Sequence, residues 1–115
     1  MLREFTDRPN AYDTAPPRRV EYKGAIEPYT WDWAPYEALR GVTVDAVTWE
    51  TSNSGAVTIS GDALASSVST AYLTAVDEGR SLITLTATSS GTPVAVRHFI
   101  VRVVDPSVSI SGSTW

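Results

Sequence analysis

The sequence predicts an all-β fold, a two-layer antiparallel sandwich of six to eight strands that follows an extended N-terminal arm. Two observations lead to this prediction. Between residues 29 and 105, β-branched and aromatic residues recur with period two, and short clusters of Gly, Ser, Asn and Asp separate the runs. Helical periodicity is not sustained anywhere in the chain. A length of 115 residues suits one domain with a single core.

Residues 1–28 are predicted to form the arm, because they contain four of the seven prolines and no sustained apolar pattern. Proline lacks the N–H group that a sheet needs. The arm still carries large apolar side chains, and we expect four of them to bind neighbouring subunits: Phe5, Tyr12, Tyr22 and Ile26. The alternative is a disordered tail.

The first strand is predicted at residues 29–33, where aromatic and polar residues alternate, and a connector with a helical turn follows at 34–41. Trp31 and Trp33 share one face of this strand. Two alternatives stay open for these rings. They enter the core, or they form an exposed stripe that binds sugars or a neighbouring subunit. Tyr72 and Trp115 are the other candidate surface aromatics.

The remaining strands are predicted at residues 42–51, 56–60, 67–75, 81–88 and 94–104, with a bulge or bend near residues 45–46 that resets the register. Alternation in these runs predicts which side chains point inward. The predicted core residues are Val47, Trp49, Ile83, Leu85, Phe99 and Val101. The domain is therefore expected to span residues 29–105, and residues 106–115 form a tail rich in Ser and Gly.

Composition argues against several function classes. The chain has no cysteine and a single histidine, His98, so a His-based catalytic triad or a metal site built from Cys and His is not expected. We predict no enzyme activity, no metal and no cofactor. The net charge is −4 and Lys and Arg do not cluster along the chain, so nucleic acid is not an expected partner. Apolar runs are too short for a membrane helix, and no membrane partner is expected.

Four segments resemble one bacterial domain family. They are VTWETSN from Val47, VTI from Val57, VDEG from Val76 and ITLTAT from Ile83. This pattern is similar to that of bacterial immunoglobulin-like group 2 domains, and the resemblance implies an immunoglobulin-like sandwich.

A second resemblance covers more of the chain. It rests on YTWDW from Tyr29, LRGVTV from Leu39, TW at Thr48, TAYL from Thr70 and RHFIVRV from Arg97. These segments resemble small phage virion proteins known as fiber-tail adaptors. The chain departs from them in its proline-rich arm, in Val44 where they have isoleucine, and in its tail.

The second resemblance implies a non-enzymatic structural protein of the bacteriophage virion, assembled in the host cytoplasm. It would dock between tail or head subunits through its arm and its sandwich surface and form a homo-oligomer in the particle. Two alternatives stay open. One is a capsid decoration protein. The other is an immunoglobulin-like cell-surface adhesion or carbohydrate-binding module that uses Trp31, Trp33 and Tyr72.

Overall fold

The structure of the chain, a computed structural model, describes residues 3–7 and 16–106. Within these ranges the chain forms eight strands and one helix. The elements are β1 (Arg3–Thr6), β2 (Arg18–Tyr22), β3 (Ile26–Asp32), α1 (Ala34–Arg40), β4 (Ala46–Thr51), β5 (Val57–Ala65), β6 (Val68–Ala75), β7 (Gly79–Ser89) and β8 (Thr92–Val104).

The strands form two four-stranded sheets that pack face to face. The first sheet has the order β1-β3-β6-β5, and the second sheet has the order β2-β8-β7-β4. The last six strands are divided between the sheets as in immunoglobulin-type sandwiches, with β3, β6 and β5 in one layer and β4, β7 and β8 in the other. The predicted all-β sandwich is confirmed.

The core lies between the sheets and follows from period-two alternation along paired strands. Trp49 of β4 lies opposite Leu85 of β7, and Ile83 of β7 lies opposite Phe99 of β8. Because paired residues share a face, all four side chains enter the same layer, and all four are buried. Val101 is buried as well, and the half-buried Val47 packs against this core.

The N-terminal segment differs from the predicted arm. Its described residues form strands at the edges of the two sheets: β1 pairs in parallel with β3, and β2 pairs in parallel with β8. Prolines do not prevent this pairing because Pro16 and Pro17 precede β2. Pro28 precedes the part of β3 that β1 covers, which begins at Tyr29. The sandwich is therefore not purely antiparallel.

Element boundaries also differ from the predicted ones, most of all at α1, β4 and β5. The predicted helical turn is a full helix, α1, which ends where Gly41 adopts the left-handed conformation with φ 67°. The strand predicted from residue 42 begins at Ala46; Val44 is still buried, and its N–H donates to Glu37 Oε2 at 2.7 Å. The strand predicted to end at residue 60 continues to Ala65 through a bulge.

Candidate docking face

Glu21 is a buried carboxylate that joins the two sheets at one edge of the sandwich. Its oxygens accept hydrogen bonds from Arg3 Nε at 2.9 Å and Arg3 Nη2 at 3.2 Å. The Tyr29 hydroxyl donates to Glu21 Oε2 at 2.6 Å. Arg3 and Tyr29 belong to the first sheet and Glu21 to the second. The cluster therefore holds β2 against β1 and β3.

Asp7 is a second buried carboxylate, with a fully buried side chain just after β1. Arg97 of β8 donates to its oxygens from Nε at 2.6 Å and from Nη2 at 3.2 Å. Trp31 Nε1 donates to Asp7 Oδ1 at 3.2 Å. A charge taken out of water is tolerated only with such partners. Asp7 therefore ties the end of β1 to the opposite sheet.

Both buried carboxylates are thus occupied in structural contacts between the sheets. Among residues 3–7 and 16–106, no group of three or more His, Cys, Asp or Glu side chains is placed to hold a metal ion. In the same part of the chain, no helix has the length and apolar character needed to cross a membrane. The role of these buried groups is to hold the two sheets together.

Tyr29 makes the stability of the fold sensitive to alkaline pH. Burial and then the hydrogen bond to Glu21 raise the pKa of the Tyr29 phenol above its ordinary value of about 10. Above that pH the unfolded chain loses the proton while the folded chain keeps it, so the folded state is destabilised as pH rises. We expect the free energy of unfolding to fall by about 1.4 kcal/mol per pH unit above pH ~10. Urea unfolding of the wild type and Tyr29→Phe from pH 8 to 11 measures the free energy of unfolding as a function of pH. The decrease above pH ~10 should be smaller in Tyr29→Phe, and equal decreases in the two proteins would contradict this prediction.

The outer face of the second sheet is the candidate docking surface. Residues of one parity on its strands are buried, for example Glu21, Phe99 and Leu85, so residues of the other parity point outward. We call this surface the basic face. It consists of Arg18, Val20 and Tyr22 of β2, Val96, His98, Ile100, Arg102 and Val104 of β8, Arg80, Leu82, Thr84, Thr86 and Thr88 of β7, and Ala46, Thr48 and Glu50 of β4.

Three arginines give the basic face its charge, although the chain as a whole is acidic. Arg80 of β7 lies directly opposite Arg102 of β8, and Arg18 lies one row away, opposite Ile100. Among the described residues, none of the three arginines forms an ion pair. The single carboxylate on this face, Glu50, is opposite Thr84, about 13 Å along the strand from the Arg80 row. At that distance salt screens most of its effect.

Apolar side chains accompany these arginines. Val20 lies opposite Arg102, and Leu82 lies opposite Ile100. Val20, Tyr22, Leu82 and Val96 are all exposed, Tyr22 at 63%. An exposed mixture of aromatic, aliphatic and arginine side chains is typical of protein interfaces.

The opposed arginines are unfavourable for the isolated fold, since like charges on directly opposite residues of paired strands repel each other. Arg80→Glu replaces this repulsion with a cross-strand ion pair to Arg102. We expect the variant to be more stable than the wild type by about 0.5 kcal/mol. Urea unfolding at low salt measures the difference, and the same comparison at about 1 M salt, where a Debye length of ~3 Å should remove it, is the control. A less stable Arg80→Glu variant would show that the pair is not repulsive.

Phe5, which was expected at a surface, is buried, and so are the two tryptophans for which a core and a surface position were both open. Phe5, predicted to bind a neighbouring subunit, packs inside the chain's own core, with its ring 4.7 Å from that of Phe99 and under the Arg19 guanidinium at 4.5 Å. Trp31 and Trp33 are also buried. Trp31 and Trp33 therefore take the inward of the two alternatives, and both rings pack between the sheets together with Trp49.

The other candidate surface residues divide into two groups. Tyr22 and Ile26 are exposed, each at 63%, and Tyr72 lies exposed on the outer face of the first sheet. Tyr22 alone of these belongs to the basic face. Tyr12 and Trp115 lie outside the described residues. His98 is exposed, and its Nδ1 is 3.0 Å from Thr84 Oγ1.

Comparison with known proteins relates the chain to others through its fold. No protein-family model and no curated protein sequence matches it. Among solved structures, the cysteine protease inhibitor EhICP2 from Entamoeba histolytica aligns with a TM-score of 0.56 at 11% identity, over 90% of this chain and 95% of the inhibitor. Domains 4 and 5 of the S-layer protein SbsC align with a TM-score of 0.54 at 15% identity, over 78% of this chain and 42% of that one. At these identities the similarity establishes the fold alone.

Proposed function

We propose that this chain is a non-enzymatic structural protein of a phage virion, similar to a fiber-tail adaptor, and that it docks onto a neighbouring virion subunit through its basic face. The observation that carries the docking surface is the cross-strand pair of Arg80 and Arg102, which has no ion-pair partner within residues 3–7 and 16–106 and lies among exposed apolar side chains. The virion role is supported by the resemblance of the segments around Trp31, Val42 and Phe99 to the adaptor proteins.

The physical argument starts from the cost of this arrangement. Local features that disfavour the isolated fold are expected at functional sites, where a partner compensates for them. A partner with carboxylates opposite Arg80, Arg102 and Arg18 would relieve the repulsion and form charge-assisted hydrogen bonds. Apolar contact with Val20 and Leu82 would add the affinity that exposed ion pairs alone do not provide.

This proposal moves the docking surface from the predicted arm to the sheet. Phe5 is occupied in the core and Arg3 in the buried cluster with Glu21, so neither side chain is free to bind a neighbour without opening the sandwich. Tyr22 keeps its proposed role because it lies at the edge of the basic face. The carbohydrate-binding alternative loses support, since Trp31 and Trp33 are buried and Tyr72 alone of its three aromatics is exposed.

The test is incorporation into assembled particles. Particles produced from the gene cluster that encodes the chain are purified on a density gradient, and quantitative mass spectrometry gives the number of copies per particle. The wild type should be present at a fixed number of copies. Arg80→Glu combined with Arg102→Glu should reduce the number of copies per particle by about tenfold or more. The reason is that the loss of a few charge-assisted contacts weakens binding by about tenfold.

The double variant is designed to leave the fold unchanged, since it replaces one like-charge pair with another. Arg40→Glu is the control for charge, and its incorporation should equal that of the wild type. Particles that lack the wild-type chain would contradict the virion role. Normal incorporation of the double variant would contradict docking through the basic face.

A further inference from the structure

The outer face of the first sheet carries the opposite charge to the basic face. Its outward side chains include Glu4 of β1 and Asp32 of β3, which are in adjacent rows because Glu4 lies opposite Thr30. Asp62 is exposed in the bulge of β5 at the edge of the same face. We call this surface the acidic face. Its outward residues are Glu4, Thr6, Ile26, Pro28, Thr30, Asp32, Thr58, Ser60, Asp62, Ala63, Ala65, Val68, Thr70, Tyr72 and Thr74, with neither Lys nor Arg among these described positions.

The two broad surfaces of one chain therefore complement each other. We infer that the partner of the basic face is a second copy of this chain, which presents its acidic face, so that copies stack head to tail. The inference rests on the proposed function, whose docking surface it uses. Arg18, Arg80 and Arg102 on one copy would face Glu4, Asp32 and Asp62 on the next, and exposed Tyr72 and Ile26 would meet the apolar side chains of the basic face.

The position of the two faces determines the kind of assembly. They lie on opposite sides of the sandwich, so a copy that binds through one face still presents the other. Such a contact is heterologous, and it produces a closed ring if successive rotations return to the start, or an open stack if they do not. A two-fold dimer is not expected, because it would bring basic face against basic face.

The available area is sufficient for this contact but not for a strong one. The acidic face is the smaller of the two, because its strands have only four to nine residues; at about 3.3 Å per residue and ~4.8 Å between strands it presents on the order of 450 Å². Two stacked faces then bury on the order of 900 Å² in total, which is the size of weak and transient interfaces. We therefore expect association that depends on concentration and weakens with added salt.

Sedimentation velocity of the full chain tests this inference. At about 50 mM salt and chain concentrations up to about 1 mM, the wild type should form species larger than a dimer, and about 500 mM salt should dissociate them. Arg80→Glu with Arg102→Glu makes both faces acidic. Glu4→Arg with Asp62→Arg makes both faces basic. Each double variant alone should associate at least about tenfold more weakly than the wild type.

Mixing the two double variants gives the decisive measurement. An acidic-faced copy and a basic-faced copy are complementary at every contact, so the mixture should regain large species in which the variants alternate at a ratio of one to one. A monomeric wild type, or a mixture that stays monomeric while the wild type associates, would overturn head-to-tail stacking. Dimers that resist both double variants would also overturn it.

Failure of this inference is separable from failure of the proposed function. If the wild type is monomeric in solution but particle incorporation depends on Arg80 and Arg102, a different acidic virion subunit occupies the basic face. If the chain stacks with itself but is absent from particles, the virion role is wrong and the self-association remains.

Discussion

Asp7→Ala is expected to destabilise the fold by about 3–5 kcal/mol, because it leaves the Arg97 guanidinium partly buried without its carboxylate and removes the acceptor of Trp31 Nε1. A loss of this size is a large part of the free energy of unfolding of a domain of about 100 residues. The effect arises in a segment that composition alone identifies as an extended arm. Urea unfolding of the full chain at neutral pH measures it.

Glu4→Ala is the matched control, since Glu4 is an exposed carboxylate on β1, the strand that Asp7 follows. Its effect should lie within about 0.5 kcal/mol of zero. If Asp7→Ala were as mild as Glu4→Ala, residues 3–7 would not be anchored to β8 in solution, and β1 would be free to bind elsewhere.

Phe99→Ala should destabilise the fold to a similar extent, by about 3–5 kcal/mol. The Phe99 ring lies at the centre of an aromatic cluster that spans both sheets. Its centroid is 4.7 Å from that of Phe5, 5.3 Å from Tyr29, 6.1 Å from Trp49 and 6.3 Å from Trp31. Truncation leaves a cavity surrounded by rigid rings that cannot collapse into it. Thermal unfolding followed by tryptophan fluorescence reports the change.

Phe99→Leu distinguishes the loss of volume from the loss of ring contacts. Leucine retains much of the apolar volume, so this variant should be destabilised by only about 1–2 kcal/mol. Equal effects for the alanine and leucine variants would indicate that ring geometry, and not volume, determines the stability at this position.

Local alternation was sufficient to predict the central strands. β7 up to Ala87 and β8 from Ala95 follow a period of two, and their inward residues, including Ile83, Leu85 and Phe99, can be read directly from the sequence. The orientation of Trp31 and Trp33 could not be decided in this way. It depends on the distance between the sheets, which a pattern within one strand does not contain.

β1 and β2 escaped prediction because each contains only a few residues and pairs with a distant segment. Arg18 pairs with Ile100, and a local window of sequence around β2 contains no sign of that pairing. The basic face was missed for the same reason. Arg18, Arg80 and Arg102 are widely separated in the sequence, and only the order β2-β8-β7 brings them together. Their outward positions in the period-two pattern could have suggested that the three arginines share a face. The pattern could not have shown that they are neighbours on it.

The parallel pairing of β2 with β8 has a consequence for biosynthesis. The contact between Asp7, just after β1, and Arg97 of β8 spans a similar distance along the chain, 90 positions. At ribosomal rates of about 5–20 residues per second, β2 and Asp7 wait roughly 4 to 18 seconds before β8 is translated. Contacts between such distant segments are also slow to form. β2 and Asp7 therefore leave the ribosome before β8 but reach their final places only after it.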